Sequence, residues 1–181
     1  MEKQLTPDQL AEHGQRLYRS GKHLEAAEQF EKASKAFAEL GDVLKSAEMA
    51  NNRSVALLQA GDAQGALDAC AGTEQIFHKA GDTEREGIAI ANYAAALEGL
   101  NRLEEALEHY QRAAALFKQI NHSEMRAVVL KAISSLQIRT NRQFEALASM
   151  DAALEEQKKL SLRERLLKKI IDLPFKMIGK K

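Results

Sequence analysis

The chain has 181 residues, of which 45% are apolar and 5% aromatic, and its formal net charge is zero. The apolar content is sufficient for a sizeable core, whereas the neutral charge argues against a general nucleic-acid-binding protein. A single cysteine, Cys70, excludes an intrachain disulfide and a cysteine-based zinc site.

Helices are predicted along almost the whole chain. The only prolines are Pro7 and Pro174, and strong helix formers dominate the interval between them, where Val, Ile and Thr are sparse. Thr6 should be the N-cap of the first helix, with Pro7 at its first position. Recurring Gly and Asn residues predict the later helix ends. The predicted helices span residues 7–20, 22–40, 42–60, 62–80, 82–100, 102–120, 122–140 and 142–160.

These helices form pairs that repeat every 40 residues. Each unit has a turn residue that tolerates the left-handed conformation, and small residues where its two helices approach closely. Larger apolar residues on the second helix should pack against the next unit, so that stacking supplies the core. The turn positions are Gly21, Gly61, Asn101 and Asn141, the small ones are Gly14, Ser54, Ala94 and Ser134 with Ala26, Ala66, Ala106 and Ala146, and the larger ones are Phe30, Cys70, Tyr110 and Met150, then Phe37, Phe77 and Phe117.

This pattern of small, turn and aromatic positions resembles the tetratricopeptide repeat family over residues 5–160. The 40-residue unit looks like the repeats of kinesin light chains and Pins-type spindle-orientation adaptors, and the helix pairs of soluble NSF attachment proteins are also similar. The resemblance implies an all-α, right-handed solenoid of four helix hairpins in residues 1–160, followed by a C-terminal helix and tail in residues 161–181. The repeats would occupy about residues 5–40, 41–80, 81–120 and 121–160.

The resemblance also implies a function, the non-catalytic binding of a protein or peptide segment in a concave groove lined by the first helix of each repeat. Asn52 and Asn92 occupy the same repeat position, where amides offer donors and acceptors for the backbone of an extended peptide. The alternative is that these asparagines bond to a neighbouring helix. The predicted groove residues are Glu12, Gln15, Tyr18, Arg19, Asn51, Asn52, Gln59, Asn92, Glu98, Lys131, Ser135 and Arg139.

The C-terminal segment is basic, because residues 158–181 contain nine Lys/Arg and two Asp/Glu residues. Ser161 and Glu164 predict a capping box, and an apolar stripe follows from Leu162 to Leu173. The helix is interpreted as a cap for the solenoid; the alternatives are a helix that binds an anionic membrane or a partner protein, and a homodimer contact. The candidate membrane or partner residues are Arg163, Arg165, Lys168, Lys169, Phe175 and Lys176.

Catalytic motifs are not found. The five histidines form no His-Glu-x-x-His pair, and no phosphate loop, dinucleotide fingerprint or nucleophile elbow occurs. Cys70 falls in a packing column and is interpreted as an inert core thiol. We therefore expect no enzyme activity, cofactor, metal, small-molecule substrate or nucleic-acid partner. Since neither an apolar leader nor a run of about 18 apolar residues occurs, a cytoplasmic location is expected.

Overall fold

The computed structural model describes residues 5–157 and 160–178, and of residues 172–178 the backbone alone. The fold is all-α, as predicted, and the described residues contain no strand. The helices are α1 Pro7–Arg19, α2 His23–Glu39, α3 Val43–Gln59, α4 Ala63–Cys70, α5 Thr73–Lys79, α6 Thr83–Gly99, α7 Leu103–Gln119, α8 Ser123–Arg139, α9 Gln143–Glu155 and α10 Leu162–Ile178.

Side-chain caps define several helix starts. The Thr6 hydroxyl accepts a hydrogen bond from the N–H of Gln9 at 3.3 Å, and the Gln9 side chain accepts one from the Thr6 N–H at 3.0 Å. Asp42 and Asp82 each accept from the amide three residues later, both at 3.0 Å. These bonds satisfy N–H groups that have no partner within the helix. The predicted cap at Thr6 is confirmed, and Asp42 and Asp82 cap α3 and α6.

The predicted turn residues adopt the left-handed conformation. Gly21, Gly61, Asn101 and Asn141 have φ of 79°, 88°, 59° and 61°. In each of these turns the next residue donates its N–H to the carbonyl five residues earlier, as in a Schellman turn. The predicted role of these glycines and asparagines is therefore confirmed.

Asn121, at φ 56°, allows a test of this role. Asn121→Val is expected to lower the free energy of unfolding by about 1–2 kcal/mol, because a left-handed residue with a branched side chain is strained. Asn121→Gly should leave it close to the wild-type value, since glycine adopts this conformation without a steric penalty. Urea denaturation followed by circular dichroism measures both variants, and equal stabilities would contradict the assignment.

Two of the predicted helices differ from those in the structure. The helix predicted over 62–80 is broken into α4 and α5, because Ala71 is extended at ψ 126° and Gly72 is left-handed at φ 80°. The helix predicted over 142–160 ends at Glu155, where no glycine, asparagine or proline marks the end in the sequence.

Residues up to His109 form one compact unit and residues from Tyr110 form a second. In the first unit α2 packs against α1 and α3, α3 packs against α4, α5 and α6, and α6 packs against α4 and α5. In the second unit α9 packs against α8 and α10. The starts of α3, α6 and α8, at Val43, Thr83 and Ser123, lie 40 residues apart.

The small positions lie where helices meet. A β-carbon on Gly14 of α1 would lie 2.8 Å from the Phe30 ring of α2, so this glycine allows the two helices to approach. In the second unit, the Ser134 hydroxyl donates to the carbonyl of Ala146 at 2.7 Å and directly joins two of the predicted small positions. All eight small positions are buried. The predicted packing of small residues between paired helices is confirmed.

Candidate functional site

A cavity of about 210 Å³ opens on the face that α1 and α3 share in the first unit. Four of its six lining residues, Gln15, Tyr18, Arg19 and Asn52, are predicted groove residues, and a fifth, Val55, lies on the same helix as Asn52. The sixth, Phe30, is buried, and the sequence assigned it to packing alone. The lining residues are Gln15, Tyr18 and Arg19 of α1, Asn52 and Val55 of α3, and Phe30 of α2.

The surrounding helices position these side chains. Because α2 packs against both α1 and α3, it holds the two first helices side by side, and the space above Gly14 lets the Phe30 ring reach the cavity. Asp8 of α1 and Lys45 of α3 form an ion pair at 3.2 Å. The Tyr18 ring lies edge-on to His23, with ring centroids 5.2 Å apart. The packing of α2 against α1 and α3 therefore preforms the cavity, because the exposed Asp8–Lys45 ion pair contributes little to stability.

The two asparagines that repeat at an interval of 40 residues have side-chain amides that are accessible to a bound molecule. Asn52 on α3 and Asn92 on α6 are half-buried. Within the part of the chain that the structure describes, neither side-chain amide has a hydrogen-bond partner. Each amide can therefore donate and accept hydrogen bonds with a bound molecule. The exposed Arg19 forms no ion pair with any described residue, so its guanidinium can donate hydrogen bonds to a bound molecule.

The prediction for Asn51 is wrong. This residue was predicted to face the groove, but it is 5% exposed, and its side-chain oxygen lies 3.0 Å from the hydroxyl of Thr73 in α5. The same hydroxyl lies 2.8 Å from the carbonyl of Cys70 at the end of α4. Asn51 thus belongs to the interior at the helix break and not to the groove face.

The other predicted groove residues occupy varied positions. Gln59 and Glu12 are exposed, and Glu12 lies 3.9 Å from Arg16 on the same helix. Glu98 is half-buried and interacts with another residue. In the second unit Ser135 and Arg139 are exposed on α8. Lys131 instead donates to Glu164 of α10 at 3.0 Å, so its ammonium group already has a partner.

A second cavity, of about 170 Å³, lies at the break between α4 and α5. Cys70 lines it but is buried, and its thiol donates to the carbonyl of Ala66 at 3.3 Å. Burial raises the pKa of this thiol, which disfavours the reactive thiolate form, as expected for a core thiol. Periodicity did not reveal this cavity, although Gly72 within a predicted helix was a signal. Its lining also includes Ala71, Gly72, Glu74, Gln75, Ala89, Tyr93 and His109.

The capping box at the start of α10 is confirmed. Glu164 accepts from the backbone N–H of Ser161 at 2.9 Å, and the Ser161 hydroxyl accepts from the Glu164 N–H at 3.3 Å. The bond from the Ser161 backbone, with those from Lys131 and the Ser161 hydroxyl, lowers the pKa of Glu164 to about 2. Glu164 is therefore ionised at neutral pH, where it anchors the start of α10 to α8.

The sequence predicted a single apolar stripe along α10, but the apolar side chains of this helix differ in exposure. Ile171 is buried, while Leu162, Leu166 and Ile170 are 84%, 61% and 55% exposed. Lys168, predicted to contact a membrane or partner, lies within 4 Å of two carboxylates on α9 instead. Arg163, Arg165 and Lys169 are exposed, whereas Phe175 and Lys176 lie outside the residues whose side chains are described.

Across the described ranges, no three His, Cys, Asp or Glu side chains are grouped so that they could hold a metal ion. None of the described helices combines the length and the apolar character that crossing a bilayer demands.

An all-helical chain of paired helices with an open, amide-bearing face is typical of helical-repeat adaptor proteins. Residues 6–172 match the family model of the soluble NSF attachment protein, SNAP. Because the match covers most of the chain, the protein belongs to the SNAP family, whose members are non-enzymatic, protein-binding helical adaptors. Its helical repeats are consistent with the tetratricopeptide type. A search of curated proteins finds no match.

Proposed function

We propose that the protein is a cytoplasmic, non-catalytic adaptor that binds a segment of a partner protein on the face formed by α1, α3 and α6. One observation carries this proposal: a preformed cavity is lined by Asn52, whose side-chain amide has no partner among the described residues. Asn92, also without a partner among them, occupies the equivalent position 40 residues further along the chain. Membership in a family of protein-binding adaptors supports it.

The lining of the cavity suggests how a segment binds. Tyr18, Val55 and Phe30 offer apolar surface to one side chain of the partner, while Asn52 and Asn92 hydrogen-bond to its backbone. An extended segment fits this arrangement, since its backbone groups are free to pair with side-chain amides.

The family indicates which partners to test first. Its name denotes attachment of NSF, and SNAP-family proteins bind SNAREs and NSF. We therefore propose that the partner is an NSF-type ATPase or a SNARE complex. The exposed guanidinium of Arg19 at the cavity favours a segment with an acidic residue beside its apolar anchor.

The double variant Asn52→Ala/Asn92→Ala tests the proposal. It removes two amides that contribute about 1 kcal/mol each when they pair with a backbone, so the Kd is expected to rise at least about tenfold. The measurement is a titration of the labelled chain with a purified NSF-type ATPase and, separately, a purified SNARE complex. Circular dichroism should show unchanged helix content, because neither amide is bonded within the described chain.

The matched control is Gln111→Ala/Gln119→Ala, which removes two exposed amides from α7, the second helix of its pair. This control should bind as tightly as the wild type. Equal binding by the Asn52/Asn92 variant would place the binding surface elsewhere and refute the groove. Absence of binding by the wild type to both probes would refute the proposed partners.

A further inference from the structure

The C-terminal helix α10 has an apolar surface that no described residue covers. Leu162, Leu166 and Ile170 recur every fourth residue, so they lie on one face of the helix, and each is more than half exposed. We call these three residues the outer stripe. Scattered exposed apolar residues need no explanation, but a contiguous apolar helix face is typical of an interaction site.

A different face of α10 holds the helix on its own unit. Ile171 is buried, Glu164 accepts from Lys131 of α8, and Lys168 approaches Asp151 of α9. Residues 164, 168 and 171 share a face, because they are separated by four and three positions. The outer stripe is therefore not needed to attach α10, and a simple cap would not retain it.

Positive charge borders the outer stripe. On the helical wheel, Arg165 and Lys169 lie along one edge and Arg163 lies along the other. All three are exposed, and none forms an ion pair with a described residue. The acidic residue of the same turn, Glu164, is already paired. The surface thus combines exposed leucines and isoleucine with uncompensated cations.

We propose that α10 binds the surface of an anionic lipid bilayer, with the outer stripe in the interfacial region and its three basic neighbours on the headgroups. Apolar side chains beside Lys and Arg on one helix face are the features by which helices lie in a membrane interface. No described helix could cross the membrane, so the contact is peripheral. This proposal is independent of the partner-binding face.

A second copy of the chain fits this surface less well. Two α10 helices that met through their outer stripes would bring the unpaired Arg163, Arg165 and Lys169 of both copies together, and like charges oppose such a contact. Three apolar side chains also provide far less than the roughly 1,200 Å² of a stable interface. An anionic bilayer supplies both the apolar phase and the complementary charge.

The test is sedimentation of the full chain with vesicles of phosphatidylcholine and phosphatidylserine, compared with vesicles of phosphatidylcholine alone. The wild type should pellet with the anionic vesicles and be released by salt, which screens the headgroup charge. Leu166→Ser/Ile170→Ser and Arg165→Gln/Lys169→Gln should each weaken the partition coefficient at least about tenfold, because they remove the apolar and the electrostatic contributions respectively.

Controls of the same chemistry come from other helices. Leu24→Ser/Phe144→Ser replaces two exposed apolar residues, and Lys32→Gln/Lys118→Gln replaces two exposed lysines; both variants should bind like the wild type. Failure of the wild type to pellet at low salt, equal binding to neutral vesicles, or full binding by either α10 variant would overturn the proposal. So would a dimer in lipid-free solution that the outer-stripe variant abolishes.

Discussion

Replacement of Phe77 by alanine is expected to lower the free energy of unfolding by about 3–5 kcal/mol. The Phe77 ring is 1% exposed and packs in a cluster with Ala47 of α3 and Ala89 of α6, to which Leu44 and Ile76 add further contacts. Its removal leaves a cavity beside Ala47 and Ala89, which are too small to fill it. Because α5 has only seven residues, it depends on this contact for its position.

The same substitution at Phe144 is the control, since that side chain is 84% exposed. Phe144→Ala should change the free energy of unfolding by no more than about 0.5 kcal/mol. Urea denaturation compares the two variants, and amide hydrogen exchange should locate the loss for Phe77→Ala in α5 and α6. Similar losses for both substitutions would contradict the assignment of Phe77 to the core.

The turns explain why the helix pattern could be predicted from the sequence. At Gly41-Asp42, glycine supplies the left-handed residue that ends α2, and aspartate supplies the cap that starts α3. Both effects are local, so they act wherever the same residues recur. Gly81 and Asp82 do the same before α6, and Asn121 and His122 take these two roles before α8. The starts of α3, α6 and α8 therefore lie within one residue of their predicted positions.

The break between α4 and α5 could not be predicted in the same way. Ala66, Cys70 and Phe77 have the spacing of a continuous helix, and a single glycine inside a helical pattern is usually tolerated. The structure instead breaks the helix at Gly72 and places Thr73 against Asn51. That contact joins residues 22 positions apart, so it depends on how α3 and α5 pack and not on local preferences.

The candidate binding face shows the same division between local and tertiary information. Asn51 and Asn52 are adjacent, and only the rotation of α3 decides that the first is buried and the second lines the cavity. The sequence suggested the right face but could not fix this rotation. In α10, likewise, leucines and isoleucines surround much of the helix, and only the structure shows that the edge with the buried Ile171 and the ion pairs of Glu164 and Lys168 is the one that packs.

Ala26→Leu is expected to lower the free energy of unfolding by about 1–3 kcal/mol, because overpacking forces side chains and backbone to shift. Ala26 is fully buried on α2, and α2 packs against both α1 and α3. A leucine there adds three carbon atoms where the helices already touch. The control is Ala38→Leu, at an exposed position of the same helix, and it should leave the stability unchanged within about 0.5 kcal/mol.

The two variants also connect the packing of the first unit to its proposed function. Ala26 lies one helical turn before Phe30, which forms part of the cavity beside Asn52. Overpacking at Ala26 should displace this ring and weaken binding of the NSF-type ATPase or SNARE complex, whereas Ala38→Leu should bind normally. Normal binding by a destabilised Ala26→Leu protein would show that the partner does not use the cavity, even though the small-residue packing stands.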